Sequence, residues 1–260
     1  MRTRRGLHGN RGVALLIVLL VTALLISLIF EFAYGTRVSM RGAMNFRDSQ
    51  RAYFIARSGI SIFTQYKELK DMVPQGEWSV VPVVSAGDTE VRVRWEDERS
   101  KLNINDKLYK DKADSTLGCV AELFSQRGIS TDVVDQVRDG QFKLLSDLHK
   151  VMSDEDYDKV AKFLTVSSDN KININTASEE VLSSVLVNNK VAVGFIMNNR
   201  KTKPIASLEE VGLRQSNTPI NIFANLVTTS GVLTVQSHAT VGGYTKQIES
   251  IVGTTYRRVL

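Results

Sequence analysis

The sequence predicts an α+β protein: a long N-terminal helix packed on an antiparallel sheet, with an all-helical domain inserted between the two parts of that sheet. Three observations carry this. Val13 to Phe30 is a run without a charge, long enough as a helix to cross most of a ~30 Å hydrocarbon core. Period-2 segments, the signature of half-buried strands, fall near residues 78–96 and 233–256. The stretch between them carries the helical period instead.

The first element begins behind a basic leader. Arg2, Arg4, Arg5 and Arg11 precede the apolar run and Glu31 follows it, a bias that keeps the N-terminus cytoplasmic and places the rest beyond the membrane. Three fates compete for the run. A cleaved signal peptide has a shorter apolar core and a small-residue site behind it, whereas Glu31-Phe32-Ala33-Tyr34 follows here. The run is otherwise a plain signal-anchor, or the cut falls ahead of it, at Gly12-Val13. Glycine there lets a membrane-embedded peptidase draw in the leader without a side-chain clash, and the apolar helix then survives. The expected segments are a leader, 1–12, and a transmembrane helix, 13–30.

Beyond the membrane the helix is expected to continue over 31–72. Met40, Met44, Ala52, Ile55, Ala56, Ile60, Phe63 and Tyr66 recur at mostly helical spacing, with Arg37, Arg41, Arg47, Asp48, Arg51 and Arg57 on other faces. Pro74 and Gly76 end it. Residues 73–105 supply the first part of the sheet. Val91, Val93 and Trp95 alternate with Arg92, Arg94 and Glu96, and Trp78 to Val84 forms a preceding strand turned by Ser85-Ala86-Gly87-Asp88. Residues 226–260 supply the last part, with strands Leu233–Val241 and Lys246–Tyr256 around Gly242-Gly243.

The helical insert is expected over 106–225. Ile129, Val133, Val134 and Val137 form one helical face, and Tyr157, Val160, Ala161 and Leu164 another. Ser153 with Asp156, Thr176 with Glu179, and Ser207 with Glu210 each place a carboxylate three residues after a hydroxyl, as in capping boxes.

Composition narrows the function by exclusion. The formal charge is +5, and removing the four leader arginines brings it to +1, so the basicity is a topology signal and not a nucleic-acid footprint. The single cysteine, Cys119, rules out an intrachain disulfide and suits a small buried apolar group. His8 lies in the leader, and neither His149 nor His238 has a nucleophile or metal partner in sequence. No phosphate loop or zinc spacing occurs. No catalytic residue is assigned, and the chain is read as a structural protein rather than an enzyme.

The N-terminus resembles that of type IV prepilins and pseudopilins. Basic leader, Gly12, Val13 and the run through Val18-Leu19-Leu20 match the family pattern, in which the leader is removed after the glycine and the new N-terminal residue is methylated. The resemblance therefore implies cleavage between Gly12 and Val13 and methylation of Val13. One position departs from most of the family. The fifth mature residue is Ile17 where they carry Glu, and a subunit with no neighbour beneath it has less need of that costly buried carboxylate. Its absence is a hallmark of the K-type minor pseudopilin of type II secretion, held to sit at the fibre tip, whose pilin-like fold carries a large helical insert.

Internal segments extend the likeness. Asp97-Glu98-Arg99-Ser100-Lys101-Leu102-Asn103-Ile104-Asn105 is similar to that family's entry into the insert, and Lys171-Ile172-Asn173-Ile174-Asn175-Thr176-Ala177 to its later repeat. Leu144-Leu145-Ser146-Asp147-Leu148 is similar to an element between them. Physically, alternating Ile and Asn suit an extended segment whose Asn side chains fix the turn into the next helix. The resemblance implies I- and J-type minor pseudopilins, the major pseudopilin and the prepilin peptidase as partners. It also implies an inner-membrane, single-pass protein with a periplasmic head that reaches the pseudopilus tip on assembly.

Family members can bind calcium in the insert, so the acidic run Asp154, Glu155, Asp156 and Asp158 is weighed against its simpler reading as charges that complement a helix dipole. Calcium takes six to eight oxygens, and the family's Asp-Trp-Ile-Asp element is missing. Asp135-Gln136-Val137-Arg138-Asp139-Gly140 stands in that region, and no ligands are assigned.

A rival reading comes from Ile174-Asn175-Thr176-Ala177 with Glu179 and Leu182, which also opens helix-hairpin-helix DNA-binding units. Arg200 and Pro204 to Val211 prolong that likeness. Such units cradle a phosphate on a glycine-rich hairpin, and here the hairpin reads Leu186-Val187-Asn188-Asn189-Lys190, without glycine. The alternative is a minor pilin of a type IV pilus-like or DNA-uptake system with a degenerate unit, in which nucleic-acid binding is not expected.

Overall fold

The computed structural model describes residues 9–65, 73–81, 87–105, 116–139, 142–187, 189–218, 220–253 and 257–259. Helix α1 (Gly9–Gln65) runs for 57 residues, about 85 Å at 1.5 Å per residue. Its two ends live in different surroundings. From Gly12 to Arg47 every residue is exposed, and the first buried one is Ala52. The lower part buries Ala52, Ala56, Ile60 and Phe63, the three- and four-residue spacing of a single helical face. Met40 and Met44, expected on that face, are exposed because the sheet does not reach them. The expected stretch to residue 72, with Tyr66, lies outside the described residues beyond Gln65.

The face meets a five-stranded antiparallel sheet of order β1 (Ser79–Val80), β2 (Thr89–Asp97), β7 (Val232–Val241), β8 (Tyr244–Gly253) and β9 (Arg257–Val259). Val91, Val93 and Trp95 of β2 stand opposite Ala239, Ser237 and Val235 of β7. These side chains turn inward onto α1 while Glu90, Arg92, Arg94 and Glu96 turn outward, as the period-2 pattern dictates. Small residues set the spacing. A Cβ on Gly59 would lie 2.6 Å from Ser237 Oγ and 2.9 Å from Val91 Cγ1, so only glycine lets the helix settle this close. Trp95 Nε1 donates to the Val73 carbonyl at 2.8 Å and its ring packs beside Phe63.

The sheet departs from expectation at its edges. The strand expected over Trp78–Val84 is only Ser79–Val80 among the described residues, and residues 82–84 lie outside them. At the other edge β9 adds a strand that the sequence pattern did not announce. The turn at Gly242 and Gly243, with φ of 55° and 83°, is the left-handed pair a two-residue hairpin requires.

Between the adjacent strands β2 and β7 the chain leaves the sheet and builds a second core. It comprises β3 (Leu102–Asn103), α2 (Thr116–Gln126), α3 (Thr131–Asp139), α4 (Asp154–Val160), β4 (Leu164–Thr165), β5 (Ile172–Asn173), α5 (Glu179–Val185), α6 (Lys190–Asn199), α7 (Ile220–Asn225) and β6 (Leu226–Val227). Leu102, Ile104 and Leu226 belong to this core, so the insert begins just ahead of residue 106 and closes just after 225. Among the described residues its regular structure is helical apart from two short parallel bridges, β3 with β4 and β5 with β6.

Those bridges reveal that the insert is one supersecondary unit built twice. In the first copy Ile104 N donates to Thr165 O at 3.0 Å, and in the second Ile174 N donates to Val227 O at 2.9 Å. Asn105 Nδ2 donates to Phe142 O at 2.6 Å while its Oδ1 accepts from Phe142 N at 2.9 Å. Asn175 clasps Ile205 in the same way, at 2.9 and 2.8 Å. The two copies share one apolar core. Arg127, at the end of α2, ties them further by pairing with Glu180 of α5 at 2.8 Å.

Capping follows the sequence in part. Ser153 Oγ accepts from Asp156 N at 3.2 Å as expected. Thr176 is not the cap of α5: Ser178 Oγ accepts from Val181 N, because the Thr176 hydroxyl is turned to Asp97. Ser207 caps a 3-10 turn, Leu208–Val211, through Glu209 N.

Candidate functional site

The residues that the sequence singles out lie on the bare end of α1. Gly12 is one turn inside the helix, and a Cβ there would meet nothing within 4 Å. A helix-interior glycine costs about 1 kcal/mol relative to alanine, and among the described residues no close packing offsets it. Val13 and Ile17 are 59% and 56% exposed, two turns of an uncovered apolar cylinder. Residues 1–8 of the leader lie outside the described residues. This helix is long and apolar enough to cross a membrane, its apolar window unburied by the rest of the chain.

At the far end of α1 and its sheet, a polar joint connects sheet to insert. Asp97, the last residue of β2, is fully buried. Its Oδ2 accepts from Asn173 Nδ2 and Thr176 Oγ1, both at 2.8 Å, and from Ser230 Oγ at 2.6 Å, while Oδ1 accepts from Arg99 N at 3.0 Å. One carboxylate thus holds the end of β2, the start of the second copy and the return into β7. A buried carboxylate persists only when so satisfied.

Its neighbours repeat the principle with charge pairs. Arg99 lies on Asp169 with bonds of 3.0 and 2.6 Å and donates to Thr229 O at 3.0 Å. Burial alone would raise the Asp169 carboxyl, but the hydrogen bond and charge of Arg99 hold it below its ordinary value. Lys101 Nζ lies 2.7 Å from Glu96 and 3.5 Å from Glu98. Burial disfavours its ammonium, yet the charges of Glu98 and Glu96 outweigh that and raise it. Glu96 is pulled down in turn: burial opposes ionisation, and Lys101 and Arg94 overcome it. Glu98 also accepts from Thr165 and Thr234. A crevice of about 240 Å³ opens here, lined in part by Arg94, Glu96, Lys101, Leu144, Thr165 and Ile251.

The remaining candidates resolve into packing and surface roles. The acidic run forms the first turn of α4, where Asp154 meets His149 at 2.8 Å and Glu155 and Asp156 share Lys159 at 3.0 Å each. These carboxylates are engaged by His149 and Lys159 rather than converged on one point, and among the described residues no three His, Cys, Asp or Glu side chains gather to hold a metal. His149 also stacks on Tyr157, and His238 on Trp78. Cys119 is buried in the insert's core. At the hairpin of the DNA-binding rival, Asn189 caps α6 through Ala192 N at 3.1 Å, and Val187, Val191 and Phe195 face solvent. Asn188 lies outside the described residues. The clasps of Asn105 and Asn175 do not show in the sequence: the recurrence of Leu-Asn-Ile-Asn as Ile-Asn-Ile-Asn marks the repeat, but not the distant backbone that each Asn holds.

Long exposed helix, antiparallel sheet and inserted helices define a pilin-like α+β protein with, among the described residues, one helix of membrane-spanning length, as in a single-pass anchor. No family model matches the sequence, and no curated protein does. Among solved structures the fold is similar to a chain in the crystal structure of the GspK-GspI-GspJ complex from the enterotoxigenic Escherichia coli type 2 secretion system. The TM-score is 0.63 at 13% identity, over 84% of this chain and 97% of that one.

Proposed function

We propose that this chain is a K-type minor pseudopilin, a structural component at the tip of the type II secretion pseudopilus that serves protein export across the outer membrane. The observation that carries the reading is the duplicated helical insert spliced between two adjacent strands of a pilin-like fold, supported by a fold similar, over 84% of this chain and 97% of the other, to a chain of a GspK-GspI-GspJ complex.

In this reading residues 1–12 are a leader cut by the prepilin peptidase between Gly12 and Val13, and Val13 is then methylated. The helix over 13–30 holds the protein in the inner membrane with its head in the periplasm, until it joins I- and J-type minor pseudopilins to start the fibre above the major pseudopilin. Ile17, in place of a carboxylate, suits a subunit with none beneath it to neutralise. The insert, set on the end of the sheet by the Asp97 joint, blocks further addition above.

The test is the intact mass and N-terminal sequence after co-expression with a prepilin peptidase, beside a Gly12→Val variant. Loss of Met1–Gly12 with a methylated Val13, blocked in the variant, is expected; an intact N-terminus sinks the reading. The capping role is tested by replacing residues 101–229 with a short turn, which the direct pairing of β2 with β7 allows. Unchanged tip assembly and secretion by that variant rule it out.

A further inference from the structure

We propose that the face of α1 carrying Phe30, Tyr34, Arg37 and Arg41 is a docking surface for anionic phospholipid headgroups, on the side of the bilayer opposite the N-terminus. This rests on the reading of α1 as membrane-spanning.

The four residues follow one another at i, i+4, i+7 and i+11, the spacing of a single helical face. Phe30 is 71% and Tyr34 72% exposed, and both arginines are exposed. Among the described residues nothing lies within 4 Å of a Cβ position at Gly35 or Gly42, which sit beside this face along the helix. Reading outward, the face passes from apolar to amphipathic aromatic to cation, the order of hydrocarbon, interface and headgroup across a bilayer boundary.

The charges are also uncompensated. Arg37 and Arg41 stand one turn apart, where like charges repel, and no carboxylate lies within a turn of either. Glu31 precedes Arg37 by six residues, and Asp48, seven beyond Arg41, is paired with Arg47 at 2.9 Å. Among the described residues neither arginine has a hydrogen-bonding partner. Arg37 lies about 10 Å and Arg41 about 16 Å beyond Phe30 along the axis. A headgroup layer about 5–8 Å deep, plus the reach of an arginine that bends back toward it, brings the first guanidinium onto phosphate. The second sits within roughly a Debye length of the surface. A guanidinium binds phosphate oxygens in a two-pronged fashion that suits a lipid headgroup. An acidic protein partner would complement the charge equally well, but it gives no reason for Phe30 and Tyr34 to stand in file with it.

The test reconstitutes the full chain in phosphatidylcholine bilayers containing about a third phosphatidylglycerol. Electron spin resonance compares the motionally restricted fraction of spin-labelled phosphatidylglycerol with that of spin-labelled phosphatidylcholine. The wild type is expected to prefer phosphatidylglycerol roughly five-fold or more, from about 1 kcal/mol per basic residue near the surface, with the preference shrinking in 0.5 M salt, roughly five times the ionic strength at which the Debye length is about 10 Å. Arg37→Gln/Arg41→Gln should cut it several-fold, down to the remainder set by the leader's Arg2, Arg4, Arg5 and Arg11 on the other leaflet, while Arg47→Gln/Arg51→Gln, which removes the same charge further along, should leave it. Equal preference in the wild type and the first variant overturns the proposal, as does equal loss in both variants. If the first variant keeps its lipid preference but loses co-assembly with partner chains, the arginines serve protein and the proposal falls. Absence of any restricted lipid means that the chain does not insert, which overturns the membrane reading and this one together.

Discussion

Asn173 and Asp97 meet at the base of the insert, where the Asn173 amide donates to the Asp97 carboxylate at 2.8 Å across 76 residues of chain. With Thr176 and Ser230 on the same oxygen, this contact converts three separate chain passages into one joint. Asp97→Ala leaves buried donors without an acceptor, each costing about 1–3 kcal/mol, and is expected to destabilise the chain by about 3 kcal/mol or more. Urea unfolding of the full chain in detergent, followed by tryptophan fluorescence, measures it. A loss below about 1 kcal/mol would mean that solvent or rearrangement satisfies the joint.

The glycines of α1 should separate by place. Gly59→Ala pushes a methyl into Ser237 and Val91 and is expected to cost about 1–3 kcal/mol. Gly42→Ala meets nothing and should be neutral or stabilise the helix by up to about 1 kcal/mol. The same melts compare the two, and equal effects would remove the close-approach account of Gly59.

The duplicated clasps predict local rather than global opening. Asn105→Ala frees the Phe142 amide and Asn175→Ala the Ile205 amide. Hydrogen exchange at each should accelerate on loss of its own partner only. The Asn175 change should be the larger in overall stability, because its side chain also donates to Thr228 O at 2.8 Å. Acceleration at both sites from either change would show that the two copies open as one.

Stability should hold a plateau bounded by the joint's charges. The folded-state carboxyls of Glu96 and Asp169 lie below their ordinary values of 4.5 and 3.8, so their contribution is complete above those values and is lost as pH falls through the folded ones. Lys101 is raised above 10.5, so its contribution is complete below that pH and is lost as pH climbs past it. Melting temperature against pH should therefore fall at both ends. Glu96→Gln with Asp169→Asn should shallow the acid limb and leave the alkaline one, and an unchanged acid limb would assign it to other groups.

The sequence by itself determined the parts whose physics is local. Eighteen residues without charge specify a helix of membrane length whatever else the chain does, and alternation in Val91, Val93 and Trp95 fixes which side of β2 faces inward. Ser153 was legible as a cap because its partner lies three residues away. Where partners are distant the pattern misled. Thr176 has the spacing of a cap, yet its hydroxyl goes to Asp97. The Leu102–Asn105 and Ile172–Asn175 repeats read as turn formers, without showing that each clasps a backbone 30 or more residues on. Met40 and Met44 continue the apolar face of α1 in sequence, and only the extent of the sheet decides that they stay exposed. Tertiary structure alone placed the buried carboxylate of Asp97 among donors from three passages and joined two copies into one core. Hydrogen-bond geometry and close packing depend on which surfaces meet, and no period within a single segment records that.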